Sequence, residues 1–239
     1  MKKWLALAAT AVLGASLLIS GCGSSTNDTS SSSAGSSKAE VLKVAANPVP
    51  HAEILNHIKP LLAKEGVDLQ IIEFTDYIQP NMALSSKEVD ANFFANVPYQ
   101  NNFNKDHGTN FVSFAPVHIE PLAIYSQKIK DLKDLPNGAK VAIPSDPTNS
   151  ARALLLLQSA GLVTLKDPTG LTNTPFDVTS NPKNIQITEL EAAQIPRSIQ
   201  DLDAAVINAN YALPAGLNPT KDGLFVEKAD SPYANLLSV

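Results

Sequence analysis

Apolar and polar positions along this chain switch repeatedly between the two-residue period of a strand and the longer period of a helix. A β-type run at 41–46 is followed by a stretch at 51–65 in which Ile54, Leu55, Ile58, Leu61 and Leu62 recur at helical spacing, interrupted by Pro60. A second apolar run at 69–74 predicts another strand. Short helices are predicted at 80–88 and 98–107, the latter opening on a proline that suits a first turn. Residues 111–126 form a long extended passage broken at Pro116 and Pro121, which suggests a crossover, and 140–143 is a further short strand. Asp146-Pro147-Thr148 is a capping arrangement leading into a helix over 151–160 that stops at Gly161. Strands at 185–190 and 204–208 flank a helix near 192–199 whose regularity Pro196 limits. The sum is an α/β body. Such alternation favours mostly parallel sheets covered on both faces, with ligands bound beyond the carboxyl ends of the strands. Attention therefore falls on the polar groups at 47–51, 76–77, 92–99, 118–120, 145–152 and 208–211.

The first forty residues follow another pattern. Lys2 and Lys3 precede an apolar run at 4–19, sixteen residues long. That is short of the roughly twenty that span a bilayer, so residues 1–21 are expected to be a cleaved secretory signal peptide. Ile19-Ser20-Gly21-Cys22 resembles a bacterial lipobox, in which small residues admit the processing peptidase and Cys22 is acylated, palmitate being one of the chains. Cys22 is the only cysteine, which excludes an intramolecular disulfide. Stable attachment takes more than one acyl chain, and lipoproteins of this kind carry two or three on the one cysteine. Residues 22–39 are dominated by serine and hold almost nothing apolar, so they are expected to be a flexible tether with an end-to-end distance of roughly 20–25 Å.

About 200 residues remain from Glu40 onward, enough for one large or two small domains with real cores. Removing Lys2 and Lys3 takes the formal charge from −5 to −7, so a basic footprint for nucleic acid is missing. The chain has no GxSxG, HExxH, GxxxxGK followed by Ser or Thr, or GxGxxG. An enzyme is not expected.

Arg152 is the strongest single clue, because it lies in the first turns of a helix whose dipole prefers an acid there. Leu154 to Leu157 point in nearly all directions around that helix, which places Arg152 at the lip of a packed region. Residue types alone leave two readings equally open: holding a ligand carboxylate through paired hydrogen bonds, or a solvated arginine or structural ion pair. Asn149 suits helix capping, with presentation of its amide to a ligand as the second option, and Asn208 follows a strand where its oxygen could receive an ammonium. The segment Asn92-Phe93-Phe94-Ala95-Asn96-Val97-Pro98-Tyr99 puts aromatic and amide groups at a strand-to-helix junction, and one of its two phenylalanines is expected to be core. His118 and Glu120 share a strand face. A hydrogen-bonded pair is preferred there over a metal pair, since His51 and His57 fall on different helix faces and supply no clustered ligand.

Pro50-His51-Ala52-Glu53-Ile54-Leu55, Asp90-Ala91-Asn92-Phe93-Phe94, His118-Ile119-Glu120-Pro121-Leu122, Asp146-Pro147-Thr148-Asn149 with Arg152 and its leucine run, and Ala205-Val206-Ile207-Asn208-Ala209-Asn210-Tyr211-Ala212 occur in order, with Ser231-Pro232-Tyr233-Ala234-Asn235 near the end. Together they make 41–239 similar to the NlpA/MetQ family of methionine-binding lipoproteins. The resemblance implies a two-lobed periplasmic-binding-protein fold with an amino acid in the interdomain cleft, delivered to an ABC permease and its ATPase. It implies lobes at 40–121 plus 213–239 and at 122–212. By resemblance Arg152 grips the carboxylate, Asn208 and Asn235 serve the head group, Tyr77, Phe94 and Tyr99 enclose the side chain, and Asn149 supports the pocket. Asn96, His118 and Glu120 are counted with the ligand-binding residues. No cofactor or metal is implied, and a lipid-anchored, extracytoplasmic monomer is expected. Two departures bear on the ligand: many relatives carry a Gln-His pair where this chain has Ala95-Asn96, and a glycine where it has Ala151. The family pattern also continues beyond Val239 into helical structure, which suggests a shortened tail. A dipeptide, a different amino acid, or an adhesion role for the surface lipoprotein are the alternatives.

Overall fold

The computed structural model describes residues 39–229 and 232–239. The expected signal segment, Cys22 and the tether up to residue 38 lie outside the described residues. In chain order the strands are β1 (Glu40–Ala46), β2 (Val67–Glu73), β3 (Ala91–Asn96), β4 (Ser113–Ile119), β5 (Ala123–Tyr125), β6 (Lys140–Pro144), β7 (Thr164–Leu165), β8 (Val178–Ser180), β9 (Gln186–Leu190), β10 (Ala204–Ile207), β11 (Phe225–Val226) and β12 (Ala234–Ser238). The helices are α1 (Glu53–Lys64), α2 (Gln79–Ser85), α3 (Val97–His107), α4 (Pro147–Ser159), α5 (Ile195–Ser198), α6 (Ala209–Ala212) and α7 (Pro219–Asp222). Among the described residues, no helix is long and apolar enough to cross a membrane.

Two five-stranded sheets organise the body, in the orders β2-β1-β3-β12-β4 and β11-β5-β10-β6-β9, and β7 pairs with β8 apart from both. In the first sheet β1 runs parallel to β2 and β3, while β12 inserts antiparallel between β3 and β4. In the second, β10, β6 and β9 are parallel and β5 is antiparallel to both of its neighbours. The chain therefore passes from the first sheet to the second after β4 and returns before β12. The expected division put 213–239 with the first lobe; β11 instead pairs with β5, which places 225–226 with the second sheet and moves the return crossing downstream.

Each sheet is covered on both faces by the alternation of its strands. In the second, Ile124, Val141, Ile143 and Val206 pack with Leu154 and Leu157 of α4 on one face, and Ala123, Tyr125, Ala142 and Ile207 pack with Ile195 on the other. In the first, Val44, Ala46 and Phe93 meet Leu55 of α1 and Leu69, while Ala45 faces Ala83 and Leu84 of α2. Three sequence expectations change. Helix α1 runs through Pro60, which sits on its exposed side, and Leu61, expected in the core, is 54% exposed. Strand β4 runs through Pro116, because at a sheet edge a missing N–H leaves no ladder bond unmade on the open side. The helix expected near 192–199 is a relay of short turns with α5 between two 3₁₀ segments. Strand β12 carries no apolar run to announce it: Asn235 and Ser238 are polar yet buried, Ser238 being shared by hydroxyl contacts with Ser113 and Gln100.

Leu154 is fully buried under α4. Leu154→Ala is expected to lower unfolding stability by about 2–5 kcal/mol through lost burial and the cavity left behind, read by urea titration.

Candidate functional site

A cavity is lined by β3 and β12 of the first sheet, by α4 and by the residues just after β10 of the second. Its clear volume is about 20 Å³, room for about one water molecule.

The aromatic wall comes from the first sheet. Pleating of β3 sends Phe93 into the core with Leu55 and turns Phe94 to the cavity. Tyr77 stacks on Phe94 with ring centroids 6.1 Å apart, and Tyr99 stands edge-on to both at 5.7 and 5.8 Å. Asn96 caps α3, its Oδ1 accepting from Tyr99 N–H at 3.0 Å. The Tyr99 hydroxyl donates to Tyr77 O at 2.7 Å, and the Tyr77 hydroxyl donates across to Asn210 Oδ1 at 2.6 Å. Burial pushes both phenols well above their ordinary range, so they stay neutral donors.

The polar wall comes from the second sheet. Asp146, not Asn149, caps α4: its Oδ1 accepts from Asn149 N–H at 2.9 Å. Burial raises the Asp146 carboxyl, with the Asn149 hydrogen bonds partly offsetting it. Asn149 acts as a bridge instead, donating through Nδ2 to both Asp146 oxygens at 3.0 Å and accepting from Asn208 Nδ2 at 2.8 Å. That leaves Asn208 Oδ1, an acceptor, and Asn210 Nδ2, a donor, buried in the cavity lining without hydrogen-bond partners among the described residues; the two residues are 8% and 6% exposed. Buried polar atoms are normally satisfied, so such a pair marks a place suited to a polar ligand.

Arg152, 4% exposed, is an ion-paired residue. Its Nε donates to Glu227 Oε1 at 2.9 Å, its Nη2 pairs with Glu227 Oε2 and donates to Glu120 O at 2.8 Å, and its Cζ lies 4.2 Å from the centre of the Tyr233 ring. Of the roles left open by residue type the ion pair is the one seen, and the same side chain also lines the cavity.

Glu120, between β4 and β5, also faces the cavity. Its Oε1 accepts from His118 Nε2 at 2.8 Å and from Asn235 Nδ2 at 3.0 Å, and His51 Nε2 stands 3.0 Å from the same oxygen in a less directed contact. Burial works to raise this carboxyl; the His118 hydrogen bond and the close approach of His51 outweigh it and hold the pKa at about 2. The three ligating atoms lie within 4.8 Å of one another, so His51 supplies the third member that the sequence reading had not found. The N···O separations of 2.8 and 3.0 Å are nevertheless hydrogen-bond lengths, shorter than the ~3.3 Å between neighbouring ligands on a tetrahedral zinc.

Of the residues expected at the site, Tyr77, Phe94, Asn96, Tyr99, Glu120, Asn149, Arg152, Asn208 and Asn235 line the cavity. His118 stands behind the wall and reaches it through Glu120. Sequence reasoning missed Asn210, which reads as an ordinary turn former, and Glu227, one charge in a polar loop; His51 was set aside against His57, though its place just after β1 was the usable signal.

Two α/β lobes meeting on a cavity with an aromatic wall, a paired guanidinium and a hydrogen-bonded carboxylate define a substrate-binding protein of periplasmic-binding-protein fold. The chain belongs to the NlpA lipoprotein family, whose profile matches residues 42–239. It is 44% identical over 237 residues, 98% of its length and 84% of the relative's, to the D-methionine-binding lipoprotein MetQ of Salmonella typhimurium. Among solved structures, a nutrient-binding protein from Burkholderia cenocepacia bound to methionine matches with a TM-score of 0.80 at 48% identity, over 83% of this chain and 84% of that one. An ABC transporter periplasmic substrate-binding protein from Coxiella burnetii matches with a TM-score of 0.80 at 45% identity over the same shares.

Because the Glu120 carboxyl is depressed on folding, the stability it contributes is present above its ordinary pKa of about 4.5 and is lost as pH falls toward 2. Between pH 5 and pH 3 the protein should lose roughly 2 kcal/mol more stability than its Glu120→Gln variant, read from urea unfolding at each pH.

Proposed function

We propose that the chain captures methionine, or a close analogue or methionyl dipeptide, outside the cytoplasmic membrane and delivers it to an ABC permease driven by its ATPase. Cys22 carries the lipid anchor and residues 22–39 the tether, and the protein works as a monomer without a cofactor or metal. The observation that carries this reading is the unpartnered acceptor and donor of Asn208 and Asn210, set between a carboxylate, a guanidinium and three aromatic rings. An α-amino acid offers a matching set of groups in one small head. The methionine-bound neighbour and the named relatives support the choice of side chain.

Arg152 meets the ligand carboxylate, assisted by Asn210 Nδ2. The ammonium faces Glu120 and Asn208 Oδ1. Charge-assisted hydrogen bonds contribute about 1.5–3 kcal/mol each, so head-group recognition dominates affinity. Asn235 and His118 act through Glu120, and Asn149 fixes Asn208. Tyr77, Phe94 and Tyr99 enclose the thioether chain, adding roughly 0.8 kcal/mol per methylene buried. Asn96 commits its carbonyl to the α3 cap and leaves its amide nitrogen to the end of the side chain. That is a shorter and never cationic group compared with the histidine of the Gln-His pair in many relatives, so ligand choice is tuned there.

The clear volume of about 20 Å³ is too small for an amino acid, so capture requires the walls to part. The contacts that must yield join the two sheets: Tyr77 to Asn210 at 2.6 Å, and the Tyr211 hydroxyl donating to Thr75 O at 3.1 Å. Lobes divided between the first sheet and the second, hinged at the two crossings, provide that motion.

Titration calorimetry of the full chain in detergent, stripped of bound ligand by unfolding and refolding, should give saturable one-to-one binding of L-methionine. Arg152→Ala should weaken it by about 100-fold or more, the loss of two charge-assisted hydrogen bonds. Saturable heat from another amino acid and none from methionine would move the ligand; unchanged affinity in the variant would remove Arg152 from the site.

A further inference from the structure

We propose that Glu227 is a positioning residue: it holds the Arg152 guanidinium with one edge turned to the cavity, so that a ligand carboxylate meets a fixed cation. This rests on the reading of the cavity as an amino-acid site. Its ground is the ladder that ends beside the cavity. Strand β11 pairs antiparallel with β5, and one residue beyond it the Glu227 N–H donates to Leu122 O at 2.8 Å while the Leu122 N–H donates to Glu227 Oε2 at 3.3 Å. Backbone pairing thus decides where this carboxylate stands, and its side chain, 15% exposed, reaches the guanidinium from there.

The contact is a two-point fork. Oε1 accepts from Nε at 2.9 Å and Oε2 from Nη2, the geometry that fixes the plane of an arginine as well as its charge. Nη2 gives its other proton to Glu120 O at 2.8 Å, and the Tyr233 ring lies against Cζ. Of the five N–H donors of a guanidinium, three are placed by these partners; the two on Nη1 have no hydrogen bond among the described residues, and these are the ones we assign to a ligand. Without Glu227 the long side chain regains rotamer freedom, and a ligand must order it before being held, which costs affinity specifically for the group Arg152 meets.

The opposite role is physically distinct. If Glu227 stood in for the ligand carboxylate and competed for Arg152, removing it would tighten binding. The test titrates L-methionine and L-methionine amide, which keeps the ammonium and thioether but lacks the carboxylate charge, into the full chain in detergent and into its Glu227→Gln and Glu227→Asp variants. Urea unfolding of each variant checks that it folds. Glu227→Gln is expected to weaken methionine about ten-fold and the amide less than about two-fold, collapsing the preference between them, with Glu227→Asp retaining part of it. Unchanged or tighter methionine binding by Glu227→Gln overturns the proposal, as do equal losses for both ligands, which would show structural damage alone. A parent chain that binds neither ligand defeats the amino-acid reading of the cavity first, and this inference with it.

Discussion

A carboxylate buried where one sheet hands the chain to the other must be surrounded by donors, and Glu120 is that carboxylate. Its Oε1 gathers His118 from β4, Asn235 from β12 and His51 from the turn after β1, while its backbone oxygen takes Arg152 from α4. An unsatisfied buried charge would cost several kcal/mol, so these four segments are obliged to converge. Their convergence brings Glu120, Asn235 and Arg152 together in the cavity lining. The remaining architecture brings these groups within reach: β12 enters the first sheet between β3 and β4, and β11 lengthens the second so that Glu227 stands behind the guanidinium.

The same economy recurs in the polar wall. Asp146 caps α4 and holds Asn149, which in turn holds Asn208, so three side chains in series position a single free acceptor. On the aromatic side, Tyr99 leans on Tyr77 and Tyr77 on Asn210, which ties the rings of one sheet to the amides of the other. The cavity lining and the contacts that join its walls therefore involve the same residues, so a group bound there would help to hold the walls together.

Much of this was legible in the sequence because it is local. The strand at 204–207 followed by polar residues, the capped helix with its leucine run, and the aromatic-amide junction at 92–99 each carry their signal within about ten residues, and the structure puts all three on the cavity. What escaped was non-local. Strand β12 is a short stretch with polar ends, stabilised by neighbours more than a hundred residues away, and its pairing brings Asn235 to Glu120. His51 seemed isolated because its partners lie on β4 and just beyond it. Glu227 sits in a run of charges that reads as solvated loop, and only the pairing of β11 with β5 reveals that it faces an arginine. Pro60 and Pro116 break neither element, since a proline on an exposed helix face or an edge strand removes little that its surroundings need.

The most direct test of the account is a crystal structure of the chain grown with L-methionine. The expected result is the amino acid between the two sheets, its carboxylate on the Nη1 edge of Arg152, its ammonium against Glu120 and Asn208, and its thioether between Tyr77, Phe94 and Tyr99, with the Arg152–Glu227 pair intact. A ligand bound elsewhere, a reversed head group, or Glu227 displaced from Arg152 by the ligand carboxylate would contradict it.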